Sequence, residues 1–357
     1  MTRQVRSWAL AAVAAFAWAA LPCLPLGSIA HAGIIEWVTV GDPGNTADTA
    51  PAGYGAVAAS FQIMKYEFTN QLYTEFLNSV AATTDTYSLY NASMGSDARG
   101  GISFLSFAAS GSKYGTRSNM GDKPVNFVSW FDAARVSNWL MNGATSSSST
   151  ETGAYTLVGG QTTGTAPAVN SGATFYVPTE DQWYKAAYYK GGGTNAGYWN
   201  YATQSDSNPT AVTAGSTGIG SAGSTGNSAN YFRAADWNSQ DGNVTTVGTN
   251  GGPSFYGAFD MSGNVTEWND LTGAAGSSRG WRSGSIYNGP GDVSSSYRSS
   301  QDPSIENDYG VGFRLASPVS ASGVPEIDPA MGSSALSLVA GVLAMIEQRR
   351  RRAALVA

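Results

Sequence analysis

The chain has 357 residues, of which only 12% are charged and 44 are glycine, well above the ordinary ~7% glycine. That composition argues against long charged helices and coiled coils. Between residues 33 and 323 lie 13 basic and 22 acidic side chains, a net charge of about −9 that repels phosphate backbones and argues against a nucleic-acid partner.

Residues 1–32 carry Arg3 and Arg6, an apolar stretch over 8–24 and the pattern Ala30-His31-Ala32. This predicts an export signal cut after Ala32, a retained membrane anchor being the alternative. Cys23 follows Pro22, which does not suit lipidation. Cys23 and His31 are the only cysteine and histidine of the chain, so a processed protein has neither thiol nor imidazole. Ser-His-Asp and Cys-His catalysis, the usual zinc sites, thiolate copper and two-histidine iron are then excluded, and a bound metal must use oxygen ligands, which favours calcium.

The remaining body, 33–323, is long enough for one large domain or two small ones. A strand-like stretch at 61–68 leads into a helix capped by Thr69, whose apolar residues Leu72, Tyr73, Phe76, Leu77 and Val80 form one stripe. A second strand-like stretch, 125–128, precedes a helix opened by Ser129 with Asp132 and stopped at Gly143. A third, 174–177, precedes a helix with a Thr179/Gln182 capping box that ends at Gly191. The polar, Gly/Ser/Thr-rich stretches 145–153 and 204–228 read as long surface loops. The expected fold is α+β with few helices and strands and much irregular loop. Its aromatics, including Trp130, Trp139, Trp183, Trp199, Trp237, Trp268 and Trp281, must then fill much of the core.

Residues 260–267 place Asp260 and Glu267 at the two ends of a turn-rich segment. Oxygen ligands for calcium must converge at about 2.3–2.6 Å, and a curled segment of this kind can supply them; turn caps or solvated loop acids are the alternative. Arg282, Arg298 and Arg314 stand out in so uncharged a chain, and pinning of irregular loops is favoured over ligand contact.

At the other end, 324–357, a Val-Pro-Glu-Ile-Asp-Pro run precedes an apolar segment at 330–346 and then Arg349 to Arg352. Seventeen helical residues span about 26 Å, slightly short of a ~30 Å hydrocarbon core, so the segment alone reads as a marginal transmembrane, amphipathic or core helix. The order of elements resembles the PEP-CTERM sorting signal of Gram-negative bacteria that make exopolysaccharide. That resemblance implies recognition by an exosortase, transient residence in the inner membrane, and a destination in the cell envelope, on the outer surface or in the extracellular matrix.

Six segments in order, KYEFTN from Lys65, PVNFVSWFDAARVSNWL from Pro124, VPTEDQWYKAA from Val177, YGAFDMSGNVTEW from Tyr256, RSGS from Arg282 and GFR from Gly312, resemble the formylglycine-generating-enzyme or sulfatase-modifying-factor family, a variant of the C-type-lectin-like fold. The resemblance implies one calcium site at Asp260, Gly263, Val265 and Glu267, and a second at Asn230, Tyr231, Asp241 and Asn243. It also implies a binding face between RSGS and GFR, with Arg282, Ser285, Tyr287, Asn288, Tyr297 and Arg298 as contact candidates for a protein or glycan ligand. The family's catalytic members oxidise a substrate cysteine with copper held by two cysteines, and those positions fall here near Asn288 and Val293. Soft Cu(I) has no ligand in Asn or Val, so no copper is expected. Iron-dependent sulfoxide synthases, a second branch, need histidines this body lacks. The expectation is therefore a non-catalytic, calcium-stabilised binding or structural domain. An enzyme working without the copper cysteines, through acids such as Glu180, Asp181 or Glu267, is the alternative.

Overall fold

A computed structural model of the chain describes residues 35–51 and 53–319. The expected export signal and sorting tail, with their apolar segments, lie outside the described residues, as do Cys23 and His31. Among the described residues no helix is long and apolar enough to cross a membrane.

The three capped helices form where local chemistry places them. Helix α1 (Asn70–Val80) starts at Thr69, whose hydroxyl accepts from the Leu72 N–H, and buries Leu72, Tyr73, Phe76 and Leu77. A four-residue helix α2 (Ser93–Ser96), too short to leave a periodic signal, follows it. Helix α3 (Trp130–Met141) opens on a complete Ser129/Asp132 capping box and is buried along nearly its whole length. Helix α4 (Glu180–Tyr188) opens on the Thr179/Gln182 box and stops three residues before Gly191, because Tyr189 is already extended.

The strand expectations need correction. Strand β1 (Trp37–Val40) pairs with β2 (Phe61–Met64), which ends four residues short of the predicted stretch. Residues 125–128 are not a strand: Phe127 sits at φ 58°, which breaks extended geometry, and the nearest pairing is a single bridge from Thr69 to Pro124. Residues 174–177 likewise make only one bridge, Tyr176 to Ala316. In both places the run is irregular chain with Val125, Phe127, Val128, Phe175 and Val177 buried, and short apolar runs do not reveal which of the two they become.

The other strands are short: β3 (Ile102–Phe104), β4 (Tyr114–Thr116), β5 (Thr210–Ala211), β6 (Ser228–Ala229), β7 (Thr266–Asn269), β8 (Arg279–Arg282), β9 (Ser299–Gln301), β10 (Val311–Gly312) and β11 (Ala316–Pro318). They make a β1-β2-β11 sheet, a β10-β7-β8-β9 sheet in which β10 runs parallel to β7, a β3-β4 hairpin and a parallel β5-β6 pair. The hydroxyl-rich stretches are held by their own polar groups. Asn142 Nδ2 donates to Ser149 O and Thr152 O, while Asn227 Nδ2 donates to Ser205 Oγ and Ser207 O. They lie at the surface as expected, although 204–228 also contributes β5 and the start of β6.

The core is aromatic. Trp130, Trp183 and Trp268 are fully buried, with edge contacts from Trp130 to Tyr155 and from Trp268 to Trp281. Trp199 departs from expectation: it is half-buried beneath Lys190, whose Nζ lies 4.2 Å from the ring centre. Gly312 of the GFR segment is required by contact. A Cβ there would stand 2.5 Å from the Val125 carbonyl oxygen, so only glycine lets β10 approach that segment.

A candidate ligand face and its buried ionic support

Arg314, just after β10, reaches Glu267 on β7 through a two-pronged contact, Nε to Oε2 at 2.7 Å and Nη2 to Oε1 at 2.7 Å, with both side chains wholly buried. Its remaining N–H groups donate to the carbonyls of Met64, Lys65 and Phe259, tying the β1-β2-β11 sheet to the segment before β7. Trp183 Nε1 donates to Glu267 Oε2 at 2.8 Å. Beside this pair, the Glu67 carboxylate accepts from Asn264 Nδ2 and the Val265 N–H. Burial first, then the neighbouring Asp260 and Glu267, hold the Glu67 carboxyl well above the ordinary range. Asp260, also raised by burial, accepts from the Gly248 N–H at 2.5 Å and from Asn250 Nδ2 at 2.9 Å.

Those contacts bear on the calcium expectations. In the first set, Glu267 already has a guanidinium across both oxygens, Asp260 has a donor on each oxygen, and the Gly263 carbonyl accepts from Ser283 Oγ. The guanidinium across both Glu267 oxygens opposes a second cation there, so Glu267, the anchor of the set with Asp260, Gly263 and Val265, fits calcium poorly. The second set fits better. Asn230 Nδ2 donates to the Asn243 carbonyl at 2.9 Å, and Asn230 Oδ1 is buried without any hydrogen-bond partner. Tyr231 adjoins Asn230 in sequence, while the Asp241 carboxylate is exposed, 3.4 Å from Arg233. Arg99 fixes that loop by donating to the carbonyls of Asp241 and Gly242. An orphaned buried amide oxygen is a hard donor of the kind calcium takes. Among the described residues no group of three or more acids converges on a metal position.

The RSGS arginine is structural. Arg282 lies at 3.0 Å (Nε) and 2.8 Å (Nη2) from Glu180 Oε1, donates through Nη1 to the carbonyls of Ser295 and Tyr297, and is buried. Arg298 shares the same carboxylate at 2.8 Å and is 40% exposed. Ser285 is also buried, so of the six ligand-face candidates Arg282 and Ser285 lie beneath the surface, whereas Tyr287, Asn288, Tyr297 and Arg298 reach it. Tyr287 donates to Asp308, and the amide oxygen of Asn288 accepts from the Ser285 N–H and hydroxyl.

A model of the sulfatase-modifying factor enzyme 1-like domain matches residues 35–319. The chain belongs to this family. Similar solved structures include CarF (20% identity, TM-score 0.47, covering 80% of this chain and 99% of that one). Two others are Treponema denticola variable protein 1 (17%, 0.46, 80% and 95%) and PvdO from Pseudomonas aeruginosa (16%, 0.38, 80% and 92%). No curated protein matches. The observed α+β architecture with extensive irregular chain is the formylglycine-generating-enzyme variant of the C-type-lectin-like fold.

Near Asn288 and Val293, where the family resemblance puts the copper cysteines, this sulfatase-modifying-factor domain carries an amide and an aliphatic side chain. Asn288 is half-buried and bonded to Ser285, and Val293 packs fully buried against Tyr201, Ala229 and Tyr231. Sequence reasoning overlooked one surface residue, Phe232. It lies two residues beyond Asn230, is 68% exposed, and its N–H donates to the Asn288 carbonyl at 3.0 Å. No periodicity marks it, since it sits in a loop between two glycine-rich stretches.

Proposed function

We propose that this family member is an exported, non-catalytic binding or structural domain of the cell envelope, outer surface or extracellular matrix. The observation that supports the reading is the chemistry at Asn288 and Val293, near which the family resemblance puts the copper cysteines. An amide tied to Ser285 and a valine packed in an aromatic pocket offer Cu(I) no soft donor, and the described residues contain no cysteine or histidine at all. The acids named as alternatives are already engaged. Glu180 holds Arg282 and Arg298, Asp181 accepts from the Gly55 N–H, and Glu267 holds Arg314 and Trp183. Glu180 and Glu267, each locked to a guanidinium, are poorly placed to exchange a proton with a substrate.

Calcium binding is part of the proposal, at Asn230, Tyr231, Asp241 and Asn243 rather than around Glu267. There it would supply only charge and order to the loop. Export rests on residues 1–32 and on the exosortase-type tail. The test of the non-catalytic reading is a Cu(I) competition against a chromophoric chelator at submicromolar free copper. The purified secreted protein should leave the chelator complex intact. Stoichiometric withdrawal of copper would overturn the reading.

A further inference from the structure

Asn288 and Gly289 form one of three Asn-Gly pairs in the chain, beside Asn142-Gly143 and Asn250-Gly251. The backbone nitrogen after an asparagine can attack the side-chain Cγ, and a following glycine leaves that approach open because it has no Cβ. The three pairs differ in what surrounds the reacting atoms. At Asn288 the amide oxygen accepts from the Ser285 N–H at 2.8 Å and from the Ser285 hydroxyl at 2.7 Å. The Gly289 N–H, on the attacking nitrogen, donates to Asp292 Oδ2 at 3.0 Å. The carbonyl of the same peptide, Asn288 O, accepts from the Phe232 N–H at 3.0 Å. Among the described residues Asn288 Nδ2 donates to no group, so nothing there retains it. The other pairs are arranged otherwise. The Gly143 N–H donates to the Leu140 carbonyl, and Asn142 Nδ2 donates to three carbonyls. The Gly251 N–H donates to the Gly223 carbonyl, and Asn250 Nδ2 donates to Asp260 Oδ1. A carbonyl does not take up the nitrogen's proton at neutral pH, whereas a carboxylate can.

From a carboxylate on the nucleophile, two donors on the oxygen of the electrophile and an unheld leaving group, we propose that Asn288-Gly289 is a self-modification site. There the folded protein converts the Asn288 side chain to a succinimide and then to aspartate or isoaspartate. The Gly289 nitrogen bonds to Asn288 Cγ while its proton passes to Asp292. The Phe232 N–H draws charge toward Asn288 O and so favours loss of that proton. The Ser285 N–H and hydroxyl hold the negative charge that gathers on Asn288 Oδ1, the role of an oxyanion hole. The Cγ–Nδ2 bond then breaks, and the nitrogen recovers the proton from Asp292 and leaves as ammonia. Water opens the ring. In sum an amide and water become a carboxylic acid and ammonia, with no oxidant or reductant. The product sets a new carboxylate near Asp292, on the face where Tyr287, Tyr297 and Arg298 reach the surface, so an aged protein presents a more anionic face than a new one. The reaction is intramolecular and stands whether or not that face binds a ligand.

The experiment holds the full purified protein at neutral pH in heavy-oxygen water for several weeks, beside a sample unfolded in guanidinium chloride, and maps both by peptide mass spectrometry. Asn288 should lose ammonia and gain heavy oxygen about tenfold faster folded than unfolded, since only the folded chain supplies the base and the two donors. Asn142 and Asn250 should instead react more slowly folded than unfolded. A Cβ on Gly289 would meet nothing closer than Asp292 Oδ2 at 3.7 Å, so Gly289→Ala should melt with the parent and yet slow the conversion by about tenfold. Asp292→Asn should slow it by a similar factor, and Asp292→Glu should recover part of the rate. Conversion of Asn288 no faster in the folded protein than in the unfolded one, or at an equal rate in Asp292→Asn, would overturn the assignment.

Discussion

Replacing Arg314 by methionine removes the guanidinium from both oxygens of Glu267 and from the carbonyls of Met64, Lys65 and Phe259. Breaking a buried ion pair on one side costs about 3–5 kcal/mol. Each buried carbonyl left without its donor adds roughly 1 kcal/mol. The loss at pH 7 should therefore be about 5 kcal/mol or more, a large part of the ~5–15 kcal/mol that a domain possesses. Glu267→Gln should cost less, because Arg314 still faces Glu67 and Asp260, whereas Glu267 has no second guanidinium bonded to it. The double change to methionine at both positions should recover much of the loss, apolar side chains of similar volume being tolerated where half a pair is not. Arg314 at present lowers the already raised carboxyls of Glu67 and Asp260, so its removal raises them further. A folded carboxyl raised above its unfolded value stabilises fully at low pH and loses that stability as pH rises, so the deficit of Arg314→Met should shrink toward pH 5. Urea unfolding at pH 5 and pH 7 measures both effects. A variant within 1 kcal/mol of the parent at pH 7, or a deficit that grows in acid, would refute the reasoning.

Three further outcomes are expected. Burial pushes the Asp132 carboxyl to about 7, so the folded state binds more protons than the unfolded one between about pH 4 and 7. Stability measured by denaturant midpoint should fall across that window by up to about 4 kcal/mol, and Asp132→Asn should flatten the fall; an unchanged slope would count against it. Gly312→Ala should cost roughly 2 kcal/mol through the forced contact with the Val125 carbonyl, and a thermal midpoint equal to the parent's would contradict that packing. Calcium at a hundredfold excess over its dissociation constant should stabilise by about 2.7 kcal/mol. Asp241→Ala should abolish that gain and Asp260→Asn should not; the reverse pattern would return the site to the Glu267 loop.

The helices were legible because caps are local chemistry. Thr69, Ser129 with Asp132, and Thr179 with Gln182 each satisfy the first free N–H groups with their own side chains, and tertiary packing changed none of them. Of the three strand-like stretches only 61–64 became a strand, since 125–128 and 174–177 are apolar runs whose backbone partners lie far away in sequence, at Asp308 and Ala316. The ionic support was half legible. The arginines stood out by their scarcity, but that Arg314 would select Glu267, the acid assigned to calcium, depends on a contact across 47 positions.

The most direct test of the central claim is to incubate the purified secreted protein with a peptide of the Cys-Thr-Pro-Ser-Arg type, copper and oxygen, and to weigh the peptide by mass spectrometry. The account predicts a peptide that keeps its thiol beyond any loss seen with copper alone. Formation of the aldehyde in proportion to added protein would contradict it.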